Sequence, residues 1–209
     1  TSMDKETRTY FPCLFMLTMM LFLPLTYVSP TSSISMQDDS VPLTSGRAQT
    51  TWSGVVELTE SYTVNVTDEL IIAPCTVVKL ANAARLFVDG RILVQGDSSC
   101  AVTLETINTG LHYGIQFNQS SYGRGSIIDN LSIVNSMYGV TIYGSNPALN
   151  NVTVVNPSRV AVDLFSSANP TIRDLVVDQA GRGFSYADWR YGIGLSVGSG
   201  SAPFVERAV

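Results

Sequence analysis

The sequence predicts an all-β parallel solenoid behind an apolar N-terminal segment, and three observations lead there. One short strand pattern recurs at intervals of 22 to 31 residues, the stretches between copies are rich in Gly, Asn, Ser and Pro, and charge is scarce. Of 209 residues, 45% are apolar and only 14% charged, where an ordinary globular chain carries about 25% charge. Twenty-four Ser, nineteen Thr and 16 Gly stand in for the missing charge. That is a composition of short strands and turns, and it excludes long charged helices. Twelve basic against 17 acidic residues give a net charge of −5 with no Lys/Arg cluster, which argues against nucleic acid as a partner.

The first element is residues 1–28, a signal peptide or membrane anchor. No charge occurs from Thr9 to Gln37, and Phe11 to Val28 is almost wholly apolar. As a helix this stretch measures about 27 Å, enough to span a bilayer and long for a signal-peptide core. Lys5 and Arg8 are offset by Asp4 and Glu6, and the sequence does not decide between cleavage and retention; a buried core helix is the third option. Residues 29–50, rich in Ser, Thr, Pro and Gln, read as a spacer. Export and a membrane contact through the first segment are therefore expected.

From Thr51 to Val209 the expectation is the solenoid, entered through a short β cap at Thr51 to Leu70. One strand is written four times: Tyr113 to Phe117, Tyr138 to Ile142, Val160 to Leu164 and Tyr191 to Leu195. A second repeats between these as Asn130 to Ile133, Asn151 to Val154, Asp174 to Val177 and the stump Arg207 to Val209. Strands this short cannot close a core alone, but stacked turns bury alternate side chains in a column. The expected inward columns are Ile115/Val140/Val162/Ile193, Phe117/Ile142/Leu164/Leu195, Leu131/Val152/Leu175 and Ile133/Val154/Val177. Asn135, Asn156 and Gln179 share the inward parity, either as an internal amide ladder or for left-handed turn geometry. The sequence stops inside the second strand of a repeat, so further coils and a cap are expected beyond Val209.

These repeats, together with Thr51-Trp52-Ser53-Gly54, Leu70 through Lys79 and Phe87 through Gly96, resemble secreted right-handed parallel β-helix proteins of the pectin-lyase-like superfamily. The likeness covers Thr51 to Val209. It implies the fold and its right hand, but little about activity, because the superfamily holds lyases, hydrolases, epimerases, adhesins and surface proteins. Cys75 and Cys100 interrupt two of its usual turn motifs.

Those cysteines precede matching strands 25 residues apart. Stacked positions lie about 4.8 Å apart, inside the disulfide window of roughly 4.4–6.8 Å, and export would favour oxidation; two free thiols are the alternative. An enzyme of this superfamily would gather several acids on neighbouring rungs, to hold Ca²⁺ in a lyase or to act directly in a hydrolase. The outward column reads Gln116, Thr141, Asp163, Gly194, which offers one acid, and the single His, His112, reads as a turn residue. No catalytic residue, metal site or cofactor is therefore expected within this chain, Ca²⁺ entering only under the lyase alternative with its site in further coils. The favoured expectation is a surface or secreted module that binds a polysaccharide or other surface glycan. Tyr143 and Phe165 follow the same strand in successive turns with outward parity, flanked by Asn118 and Ser196. Beside them the insertion 179–190 carries Arg182, Tyr186, Asp188, Trp189 and Arg190. Aromatic faces with forked donors suit pyranose rings, although such a loop also serves simply to cover the helix flank. Sequons stand at Asn65, Asn118, Asn130 and Asn151, where about two would arise by chance.

Overall fold

A computed structural model of the chain describes residues 47–181 and 191–209. The segments expected as signal or anchor and as most of the spacer, and the loop residues Arg182, Tyr186, Asp188, Trp189 and Arg190, lie outside the described residues. Those described form a parallel β-solenoid of about six turns. Coil one carries β1 (Ala48–Trp52), β2 (Val55–Leu58) and β3 (Tyr62–Val64). Coil two carries β4 (Asp68–Ile72), β5 (Val77–Leu80) and β6 (Leu86–Val88), and coil three β7 (Arg91–Gln95), β8 (Val102–Thr106) and β9 (Ile115–Phe117). Coils four to six each carry one long and one shorter strand: β10 (Ile127–Val134) with β11 (Tyr138–Tyr143), β12 (Ala148–Val155) with β13 (Val160–Phe165), and β14 (Thr171–Asp178) with β15 (Ile193–Val197). β16 (Phe204–Ala208) opens the next turn. Every pairing is parallel.

Three faces result. β1, β4, β7 and the first parts of β10, β12, β14 and β16 make the first; β2, β5, β8 and the remaining parts of those four strands make the second. The third is β3-β6-β9-β11-β13-β15. The stretch expected as a cap is a full coil whose three strands each pair with coil two, and its first strand begins at Ala48 rather than Thr51.

The long strands turn the corner between faces at a single left-handed residue. Ile127 to Asp129 pair with β7 and Leu131 to Ile133 with β8, bypassing Asn130, whose φ is +48°. Asn151 (φ +51°) and Asp174 (φ +55°) do the same in the next two coils, and Arg207 (φ +56°) in β16. Asn and Asp tolerate this conformation because their short polar side chains bond locally. The Asn151 amide donates to Asn130 Oδ1, and Asn130 Nδ2 donates to Gly96 O at 2.9 Å.

At the corner before the third face, Asn135, Asn156 and Gln179 have φ of +57°, +53° and +56°. Asn156 Nδ2 donates to Asn135 Oδ1 at 2.8 Å, so turn duty and amide stacking occur together. Asn135 is exposed, however, which places this pair on the outer corner and not inside the column.

The core is one apolar column. Leu86, Ile115, Val140 and Val162, and beside them Val88, Phe117, Ile142 and Leu164, are all fully buried. In coil six the pairing departs from the sequence alignment: Leu195 lies against Val162 and Ile193 against Val160. The shift is two residues. Because strand side chains alternate, an even shift keeps every apolar residue on its side.

Candidate functional site

The third face carries the chemistry. Its pairing aligns Phe87, Gln116, Thr141, Asp163 and Ser196 in one outward row. Ser196, not Gly194, therefore stacks on Asp163, as the two-residue shift requires. Two residues further along, Tyr143 pairs with Phe165 in T-shaped contact, ring centroids 5.2 Å apart. The neighbour of Phe165 on the coil-six side is then Gly198, not Ser196, and a Cβ at Gly198 would lie 3.4 Å from that of Phe165. Tyr143 remains 41% exposed, so a ring face is presented to solvent.

At the other edge of the strands the Tyr-Gly repeat has a steric cause. Gly114 has φ +63°, and a Cβ there would sit 1.9 Å from the carbonyl oxygen of Gly139. The close approach leaves a shallow floor over which long side chains lie. Arg85 spans it, its guanidinium carbon 5.7 Å from the Phe87 ring centroid, 5.1 Å from Tyr113 and 5.8 Å from Tyr138. Burial lowers its pKa from the usual arginine value, with Tyr138 and Tyr113 acting in the opposite direction. Arg159 continues the stack, with NH1 donating to the Tyr138 hydroxyl at 3.3 Å and its guanidinium 5.2 Å from the Tyr191 ring. Its pKa is raised, first by the hydrogen bond to Tyr138.

A polar relay ties this stack to the far edge. Arg85 donates to Gln116 Oε1, Gln116 Nε2 to Asn118 Oδ1 at 2.7 Å, and Asn118 Nδ2 to Asp89 Oδ1 at 3.0 Å, where Ser120 Oγ also donates. Arg85, Phe87, Asp89, Tyr113, Tyr138 and Arg159 are site residues that sequence reasoning misses. Extending the outward parity from Gln116 back one coil would have found Phe87; the reach of Arg85 across a coil leaves no pattern in the sequence.

His112, read as a turn residue, lies between β8 and β9 in an isolated parallel bridge with Ser136, fully out of solvent. The Gly114 amide donates to its Nδ1 at 3.0 Å, so its Nε2, 3.1 Å from Val134 O, carries the hydrogen. Burial depresses its pKa to about 4. Cys75 and Cys100 are bridged by a disulfide, with Cα atoms 4.8 Å apart. Cys75 is itself left-handed, at φ +63°.

Asp163 is the only carboxylate in the outward row, too few donors for Ca²⁺, and no group of three or more His, Cys, Asp or Glu able to hold a metal occurs among the described residues. Nor, among them, is any helix long and apolar enough to cross a membrane. No family model, curated protein or solved structure matches the chain.

Proposed function

We propose that the chain is an exported surface or secreted module, a right-handed β-helix of the pectin-lyase-like kind, that binds a glycan on its third face without transforming it. The observation that carries this reading is the Tyr143–Phe165 pair, a half-exposed aromatic platform repeated on successive coils. A sugar ring stacks its C–H face on such a platform. Asp163 is the hydrogen-bonding group beside it, and the insertion with Arg182, Tyr186, Asp188, Trp189 and Arg190 falls later in the sequence, between β14 and β15. The platform is rigid because its strands belong to the core, so a ligand loses little to ordering of the protein. The N-terminal segment would deliver the chain to the membrane or through it.

The test is binding of the full chain to a panel of neutral and acidic polysaccharides, beside a variant carrying Tyr143→Ala and Phe165→Ala. Binding by the parent and loss of about tenfold or more in the variant, at unchanged thermal stability, is expected. Release of unsaturated or reducing-end products from any polysaccharide, with or without Ca²⁺, would overturn the non-catalytic reading.

A further inference from the structure

Among the described residues, a set of polar side chains is bonded to neighbours one coil away. Asn150 bonds Asp129, Asn151 bonds Asn130, Asn118 bonds Asp89, and Ser121 Oγ lies 2.8 Å from Ser145 Oγ. One corner gathers several polar side chains that lack such bonds. Where the chain leaves the third face, Gln119, Tyr122, Gly144, Ser166, Ser167 and Asn169 line a groove of about 520 Å³. The side chains of Gln119, Tyr122, Ser166 and Ser167 make no hydrogen bond among the described residues, and Asn169 uses only its Oδ1, accepting from Ala202 N at 3.0 Å. Tyr122 is 56% exposed. Ser166 and Ser167 stand consecutively at φ +56° and +64°, a conformation unfavourable for side-chain-bearing residues and held here by the Gly144 N to Phe165 O and Ser167 N to Ser199 O bonds.

The lining holds amides, hydroxyls and one open phenol, and no charged side chain. Amides and hydroxyls both donate and accept, which matches the vicinal hydroxyls of a sugar and gives no preference to a carboxylate. We infer that this corner groove is a subsite for a neutral pyranose, reached from the Tyr143–Phe165 platform, since Tyr143 directly precedes Gly144. The inference rests on the glycan-binding reading above and narrows it to uncharged sugars.

The experiment is titration of the full chain with β-1,4-linked gluco-, manno-, galacto- and xylo-oligosaccharides and with oligogalacturonate, at low and high salt. The variants are Tyr122→Ala and Gln119→Ala, whose side chains hold no other part of the fold, with Tyr143→Ala as the platform control. At least one neutral oligosaccharide is expected to bind with little salt dependence. Its affinity should fall about tenfold in each corner variant at an unchanged melting temperature. Salt-sensitive binding of oligogalacturonate alone, lost in Tyr143→Ala but intact in Tyr122→Ala and Gln119→Ala, would overturn the subsite and leave the platform standing. Failure of every probe to bind would overturn both.

Discussion

His112 is fully buried and neutral, with both ring nitrogens committed to the backbone. Its folded pKa of about 4 lies below the ordinary 6.5, so the unfolded chain takes up the proton first. Its contribution is therefore complete above pH 6.5 and is lost as pH falls from 6.5 toward 4, an amount reaching about 3 kcal/mol. Chemical denaturation across that window should show stability falling with pH, and His112→Gln should flatten the slope; an unaltered slope in the variant would assign the dependence to other groups. Gly114 makes a steric counterpart. With φ +63° and a backbone oxygen 1.9 Å from any Cβ, Gly114→Ala is expected to cost roughly 3 kcal/mol, read as a lowered denaturation midpoint.

Among the elements, the bent strands β10, β12 and β14 depend on one left-handed residue each, and two effects compete there. Asn151 contributes both its backbone conformation and its amide bond to Asn130. A β-branched residue loses both, and should cost about 1–2 kcal/mol through the left-handed backbone alone. Both variants lose the amide bond and only glycine keeps the conformation, so Asn151→Gly should cost less than Asn151→Val; the reverse order would mean that the left-handed backbone does not set the cost. The disulfide acts at a different corner, tying the turn before β5 to the turn before β8 across 25 residues. Closing that loop is worth about 3 kcal/mol in the chain-entropy account. Intact mass of the protein should show the two thiols oxidised, and reduction should lower the unfolding midpoint by a matching amount. The Tyr-Gly-Ile and Asn-x-x-x strands were readable in the sequence because alternation and spacing state the face and the coil. The two-residue shift of β15 was not readable. Hydrophobic alternation is blind to an even displacement, and the likeness of Tyr191-Gly192-Ile193 to the earlier copies pointed to the wrong partner.

For the molecule as a whole, each coil rests only on its two neighbours, so stability should vary along the axis. Ile115, Val140 and Val162, in coils with a neighbour on each side, are fully buried. Hydrogen exchange should therefore be slowest in β9, β11 and β13 and faster in the turns that join them; uniform protection would indicate a single cooperative block. The same geometry explains how much of the site could be read beforehand. Tyr143, Phe165 and Asp163 sit on strands whose parity is written in the sequence. The Arg85 stack and the corner groove arise from side chains meeting across coils, and depend on rotamers and turn shapes that no periodicity encodes.

The even displacement of β15 against β13 also bears on how such a chain changes over generations. A strand that moves by one residue turns its core outward, while one that moves by two exchanges each inward residue for the next and leaves the interior dry. Gains and losses in pairs are thus survivable where single ones are not. In a coiled chain of this kind a strand can slide along its neighbour by two residues with its apolar face kept inward, while the loops between strands take up the difference in length.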